Sequence, residues 1–373
     1  MTTAPKTTAF YFDESCFWHF GGNYASVARV GGLVQPAVGG GLPENPETKR
    51  RLKNLMDVTG LSAELDCRSA PSATREMLER VHPVTYLDAF KEMSDADGGE
   101  MGLRTPFGTG GYEIAAQSAG LASAALASVL SGEHENAYAL SRPPGHHCLP
   151  DYPMGFCLLN NIGIAIREAQ AAQPDLRVAV VDWDVHHGNG TEAVFYDDPS
   201  VLTISMHQEH NFPLDKGDAQ DRGAGAGEGF NVNIPLCPGA GDDAFLYAYD
   251  RIVRPRLAAF KPDVIIVACG FDASGADPLS RTLAGSFTFD ALTERVMTDA
   301  KALCQGKLVL VHEGGYSEVH VPFCGHAVLQ RMAGSDTSAP DPLADRMRAH
   351  QSNARATAFH RGVIDDIAAI HGV

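Results

Sequence analysis

Apolar residues follow two patterns along this chain. Short, almost continuous apolar runs alternate with longer stretches in which apolar positions recur at helical spacing. The runs "TAFYF" (8–12), "NAYALS" (136–141), "LRVAVVD" (176–182), "VLTISM" (201–206), "FNVNIPL" (230–236), "DVIIVACG" (263–270) and "KLVLVHEGG" (307–315) read as strands. Helices are predicted over 47–60, stopped by Gly60, over the Ala-rich 111–132, stopped by Gly132, and near 160–172, 243–260, 288–305 and 319–333. Strands that are apolar throughout, rather than on alternate positions, predict a parallel sheet covered by helices on both faces. "GSDTSAPDP" (334–342) reads as a linker before a terminal helix near 343–370. The Gly/Pro-rich stretch 31–48 is too long for an ordinary connection and predicts a functional or interface loop. No internal repeat and no second domain is visible, so one domain over 1–373 is expected.

Composition narrows the function. The chain has 373 residues, 44% of them hydrophobic and 20% charged, which is enough apolar material for a sizeable core. Its net charge of -17 argues against a nucleic-acid partner, since phosphate contacts need a basic face. That charge is compatible with cationic substrates. The eight cysteines are scattered with no Cys-x-x-Cys pair, which argues against a thiolate zinc knuckle or a redox dithiol. Cys148, Cys157 and Cys269 lie near the motifs below and read as small buried hydrophobes. "MTTAPKTTAFYF" lacks the plan of a signal peptide, and no run approaches the apolar length of a membrane span. A reduced, cytoplasmic protein without a membrane partner is the expectation.

Four predicted strands end in unusual residues. His146 and His147 follow the strand at 137–140, and Asp182, Asp184 and His186 follow 178–181. Asp272 follows 264–268, and Glu313 and Tyr316 follow 308–311. In an open parallel sheet the ligand crevice lies outside the carboxyl ends of the strands, so clusters far apart in sequence can meet at one edge. Each cluster has a plainer explanation. Asp272 alone could cap a turn, the histidine pair after two prolines could be a rigid polar loop, and a tyrosine after glycines often just packs. All of these would have to hold at once. Asp182, Asp184 and His186 alternate, so an extended backbone sends them to one side. Asp184, His186 and Asp272 form an oxygen–imidazole–oxygen set suited to zinc, with a position left for water or substrate. Iron or another divalent metal could use the same donors. Asp182 is left over as a carboxylate that could fix an imidazole.

"RPPGHH", "DWDVHHGNGT", "GFDA" and "EGGY" occur in the order found in the zinc-dependent histone deacetylase family. The chain resembles the bacterial histone deacetylase-like amidohydrolases, which are similar to class II deacetylases, over roughly 10–335. The resemblance implies the arginase–deacetylase fold: a single α/β domain with a central, mostly parallel sheet of about eight strands flanked by helices. It implies zinc held by Asp184, His186 and Asp272. His147 would be the general base and then acid, with His146 as its electrostatic neighbour. Asp182 would bond His146, and Asn189 would hold His147, where class I enzymes carry Asp. Tyr316 would bond the scissile carbonyl. Phe156 and Phe212 would wall the acyl-lysine channel, with Gly155 and Gly315 beside the substrate. A potassium site would involve Asp182, Asp184, His186, Ser205 and Met206, and a second one would lie near Phe195, Asp198, Val201 and Phe230. A homo-oligomer, dimer or tetramer, is also implied.

The implied reaction is hydrolysis of an N-acyl amide such as acetyl-lysine in a protein or peptide. An acetylated polyamine or other small acylated amine is the alternative. Asp95, Asp97 and Glu100 in "MSDADGGE" are expected on a rim loop, where acids could gate a polycation, anchor a peptide backbone or simply be solvated. A manganese hydrolase of the arginase type fits the motifs less well, and a non-catalytic acyl-lysine reader would lack a ligand or the tyrosine.

Overall fold

The computed structural model describes residues 7–22, 24–30, 33–35 and 41–373. Eight strands form one sheet: β1 Thr8–Tyr11, β2 Asp66–Arg68, β3 Asn136–Ala139, β4 Val178–Asp182, β5 Val201–Gln208, β6 Asn231–Leu236, β7 Val264–Cys269 and β8 Leu308–His312. Their spatial order is β6-β5-β4-β7-β8-β3-β1-β2. Every pairing in it is parallel. The continuous apolar character of the strands follows from burial on both faces. Ala179, Val181, Ile265 and Val267 face one core cluster, and Val178, Val180, Ile266 and Ala268 face the other. The helices Ser286–Cys304 and Val321–Ala333 cover the first face. The helices Gly111–Leu130 and Asn161–Ala172 cover the second.

Several expectations change. β2 was not visible in the sequence, because three half-exposed residues (Asp66, Cys67, Arg68) carry no apolar pattern; pairing with Ala9–Tyr11 of β1 makes it a strand. Helices Arg75–Glu79, capped by Thr74, and Val84–Asp95, entered through Pro83, were also unforeseen. The terminal helix is two, Ala344–Ala349 and Ala354–Ile370, because the Asn353 side chain accepts the Arg355 and Ala356 amides and starts a new helix. Ile364, Ile367 and Ala368 of the second reach the main core. Counter to the sequence expectation, Gly111–Leu130 is long and apolar enough to cross a bilayer by length and composition, but 67% of its most apolar window is buried inside the fold. Of the 31–48 loop, residues 31–32 and 36–40 lie outside the described residues.

A buried charge network ties three segments together beneath the ends of β3 and β8. Glu44 Oε1 accepts from Lys49 Nζ at 3.1 Å and from Arg142 Nε at 3.0 Å. Arg142 Nη1 also donates to the carbonyls of Cys16 and His19. All three charged side chains are essentially inaccessible. Arg142 opens the "RPPGHH" loop, so this network anchors the base of the loop that carries His146 and His147. Burial alone would raise the Glu44 carboxyl, but Arg142 and Lys49 more than reverse this and hold it at about 2, against an ordinary 4.5.

Removing one partner of a buried ion pair leaves uncompensated charge, typically at a cost of about 3–5 kcal/mol. Glu44→Gln should therefore lower the urea unfolding midpoint strongly. Because the folded-state pKa is depressed, the Glu44 contribution is complete above about 4.5 and lost as pH falls through about 2. The stability gap between wild type and Glu44→Gln should shrink over that window. A gap that stays constant across it would show that Glu44 is not ionised in the fold.

Candidate active site

The carboxyl ends of β3, β4, β7 and β8 are neighbours in the sheet, and the clusters read from the sequence meet there. Asp184 and His186 leave β4, Asp272 leaves β7, Tyr316 leaves β8, and His146 and His147 follow β3. All six are buried.

Asp184, His186 and Asp272 each present one ligand atom within 4.8 Å of the others. His186 Nδ1 lies 3.0 Å from Asp184 Oδ1 and 3.1 Å from Asp272 Oδ2. The remaining carboxylate oxygens are fixed by backbone: Gly314 N–H donates to Asp184 Oδ2 at 2.8 Å, and Val185 N–H donates to Asp272 Oδ1 at 2.8 Å. The electrostatics record the crowding. Burial and the Asp184 carboxylate push Asp272 up to about 6. Burial opposes charge on His186, yet Asp272 and Asp184 raise it to about 10. The imidazole thus lies between two buried carboxylates that both favour its protonated form. A divalent cation fits the same point and would displace that proton.

His146 Nδ1 lies 2.9 Å from Asp182 Oδ2. Burial disfavours an imidazolium here, but Asp184 and Asp182 outweigh it and raise His146 well above the ordinary value. His147 goes the other way: burial, then the neighbouring His146 and His186, lower it well below that value. His147 Nδ1 lies 2.8 Å from Asn189 Oδ1. An amide oxygen only accepts, so Nδ1 carries the proton and Nε2 keeps its lone pair. Beneath the pair, Glu313 Oε2 accepts from the backbone of Gly145 and His146 at 2.7 and 3.1 Å.

Tyr316 faces the same point. A methyl added to Gly314 would lie 2.1 Å from Asp272 Oδ2, 2.7 Å from Asp184 Oδ2 and 2.9 Å from Tyr316 Oη, so the three oxygens converge. Burial, Asp272 and Asp184 raise the phenol well above its ordinary value, which keeps it a donor. Its backbone N–H donates to Asp277 Oδ2 at 2.7 Å, and Gly315 takes φ +132° in the turn before it. Asp277 also accepts from Leu279 N–H, so it locks two rim loops together. Sequence reasoning missed Asp277. Nothing in its local pattern separates it from a turn acid.

These groups open into a cavity of about 310 Å³ lined by His147, His186, Gly155, Phe156, Phe212 and Tyr316, with Arg104 and Arg281 among its other walls. Phe156 packs edge-on to Tyr316 at 5.7 Å, and Phe212 edge-on to His147 at 4.9 Å. Gly155 is required at the floor, because a Cβ there would lie 2.4 Å from His147 and 2.8 Å from Phe212. Ser205, on β5, is paired with Asp182 of β4, with Met206 next along, so the first cation set sits on adjoining strands. The second set is more occupied: Asp198 Oδ2 accepts from Arg167, and the Phe230 carbonyl accepts from Thr203 N–H.

The acids expected on the rim do not line this cavity. Asp95 ends the helix Val84–Asp95 and pairs with Lys91, and Asp97 is exposed in the following turn. Glu100 is turned to Tyr24 Oη and to Arg29.

The histone deacetylase domain model matches residues 42–332. The chain is 53% identical to a histone deacetylase-like amidohydrolase of Pseudomonas aeruginosa, over 99% of this chain and 97% of that protein. It is 38% identical to a probable deacetylase of Archaeoglobus fulgidus, over 80% of this chain and 84% of that one. Its structure resembles the crystal structure of the HDA15 HD domain with a TM-score of 0.80 at 30% identity, covering 97% of this chain and 99% of the other. The single α/β domain with its eight-stranded parallel sheet is the arginase–deacetylase fold, and the chain belongs to the histone deacetylase family.

Proposed function

We propose that this chain is a zinc-dependent amidohydrolase that removes the acyl group from acylated lysine side chains of peptides or proteins. One observation carries the proposal. Asp184, His186, Asp272, Tyr316 Oη and His147 converge at the foot of a cavity walled by Phe156 and Phe212. An aromatic-walled cavity suits an alkyl amine chain and would leave the amide at its foot.

Two carboxylates and an imidazole suit zinc. When bound, zinc lowers the pKa of water it holds and polarises the acyl carbonyl. The rest is done by the chain. His147 would take the proton of the attacking water at Nε2, the atom left free by Asn189, and return it to the leaving amine. His146, charged beside it, would restrain how firmly His147 keeps that proton. Tyr316 Oη would donate to the carbonyl oxygen as negative charge builds there, so its bond strengthens in the transition state. Phe156 and Phe212 would exclude water and hold the chain in line. Potassium on the Asp182–Ser205 strand pair, a homo-oligomeric assembly and a cytoplasmic location remain part of this proposal.

Asp272→Ala should lose bound zinc and activity together, read by elemental analysis and by deacetylation of an acetyl-lysine peptide. Full zinc occupancy in the variant would remove Asp272 from the ligand set. Tyr316→Phe should keep its zinc and its KM but lose about 10²–10³ in kcat on acetyl substrates, roughly 3–4 kcal/mol. The loss should be smaller on trifluoroacetyl amides, whose activated carbonyl needs the donor less. Wild-type kcat in Tyr316→Phe would take the phenol out of the mechanism.

A further inference from the structure

We propose that the mouth of the channel recognises a carboxylate carried by the substrate near the amine end of the scissile amide, through Arg104 and Arg281. The inference deepens the amidohydrolase reading and rests on it.

Both arginines line the cavity that holds the site. The chain as a whole carries a net charge of -17, and many of its arginines are paired with acids, as Arg29 is with Glu100, Arg295 with Asp250 and Arg331 with Asp290. Among the described residues, no carboxylate lies within ion-pair distance of Arg104 or Arg281, and residues 1–6, 23, 31–32 and 36–40 include no acid. Two acids on the adjoining loops, Glu100 and Asp277, are committed to other partners. Glu100 serves Tyr24 and Arg29, and both oxygens of Asp277 accept backbone amides. Two unneutralised cations at the opening of an otherwise acidic protein call for an anion from outside.

Each guanidinium is also held in place. Arg104 takes φ +60°, a left-handed conformation that glycine or asparagine adopts more easily. The Arg104 carbonyl accepts from Phe156 N–H and the Leu103 carbonyl from Gly155 N–H, both at 3.0 Å, so its loop is tied to the channel wall. Its guanidinium lies over the Phe212 ring at 5.6 Å, at the outer edge of the slot. Arg281 N–H donates to Gln208 Oε1 at 2.7 Å, and its carbonyl accepts from Gly239 N–H. Its Nη1 donates to the carbonyls of Pro278 and Ser280, which leaves other guanidinium N–H groups free. Such forks match carboxylate geometry, and the same charges repel a polycation.

The carboxylate has two possible sources. It is the α-carboxylate of a free Nε-acyl-lysine, or an Asp or Glu side chain next to the acyl-lysine in a peptide.

The test uses zinc-loaded full chain. Blocked peptides would carry acetyl-lysine flanked by Asp, Ser or Lys, and free Nε-acetyl-lysine would be compared with its α-amide. At low salt kcat/KM should favour the Asp peptide over the Lys peptide by at least about tenfold, and the ratio should shrink as salt rises. In the Arg104→Glu/Arg281→Glu variant the order should reverse, a gain that misfolding cannot mimic. Preference for free acetyl-lysine over its amide assigns the anion to the α-carboxylate, and preference confined to the Asp peptide assigns it to a neighbouring side chain. Equal turnover of all the peptides by wild type, or better turnover of the Lys peptide or of an acetylated polyamine, would overturn the inference and leave the amidohydrolase reading standing. Absence of turnover on every acetylated amine would overturn that reading and the inference with it.

Discussion

Two buried carboxylates forced towards one point are the constraint around which this protein is built. Asp184 and Asp272 are both fully inaccessible, and like charges at that separation in a dry interior strongly disfavour joint ionisation. The fold meets this by giving each carboxylate a backbone N–H, from Gly314 and Val185, and by placing His186 Nδ1 between them. That arrangement needs the ends of three strands, β4, β7 and β8, side by side. Only a parallel sheet brings three such ends to one edge without hairpins crossing the site.

The glycines of the motifs follow from the same crowding. A Cβ on Gly270 would lie 2.1 Å from Asp184 Oδ2, and one on Gly314 would lie 2.1 Å from Asp272 Oδ2. At Gly314 the backbone passes this close so that its amide reaches the Asp184 carboxylate, and at neither glycine can a side chain share the space. "ACG" before "FDA" and "EGG" before Tyr316 are therefore the imprint of the carboxylates on neighbouring strands. A second layer of buried charge, Glu44 with Lys49 and Arg142, holds the loop behind His146 and His147. The site thus rests on paired charges above and below the sheet ends. Its imidazoles are driven apart in basicity: burial opposes charge on all three, Asp182, Asp184 and Asp272 outweigh it at His146 and His186, and at His147 burial and those two neighbouring imidazoles push the same way, downward.

Much of this was legible in the chain. The apolar runs specified seven of the eight strands, and their lack of alternation specified a sheet buried on both sides. The residues that converge at the candidate site were visible because acids and histidines directly after a buried strand break the usual pattern. What failed was local and weakly patterned. Asp66–Arg68 is a strand only because β1 offers it an edge, and the terminal helix divides where the Asn353 side chain competes for backbone amides.

Sequence alone determined which acids, histidines and tyrosine follow the ends of parallel strands, because burial on two faces and strand-end position are written in residue type and order. The tertiary structure alone decided how the charges are shared. Asp277 became the partner of the Tyr316 backbone, Glu100 was bound to Tyr24 and Arg29, and Arg104 and Arg281 came to line the cavity with no carboxylate among the described residues within ion-pair distance. These are contacts between segments far apart in the chain. Pairing of charges depends on distance and burial in three dimensions, and neither is encoded in the local spacing of residues.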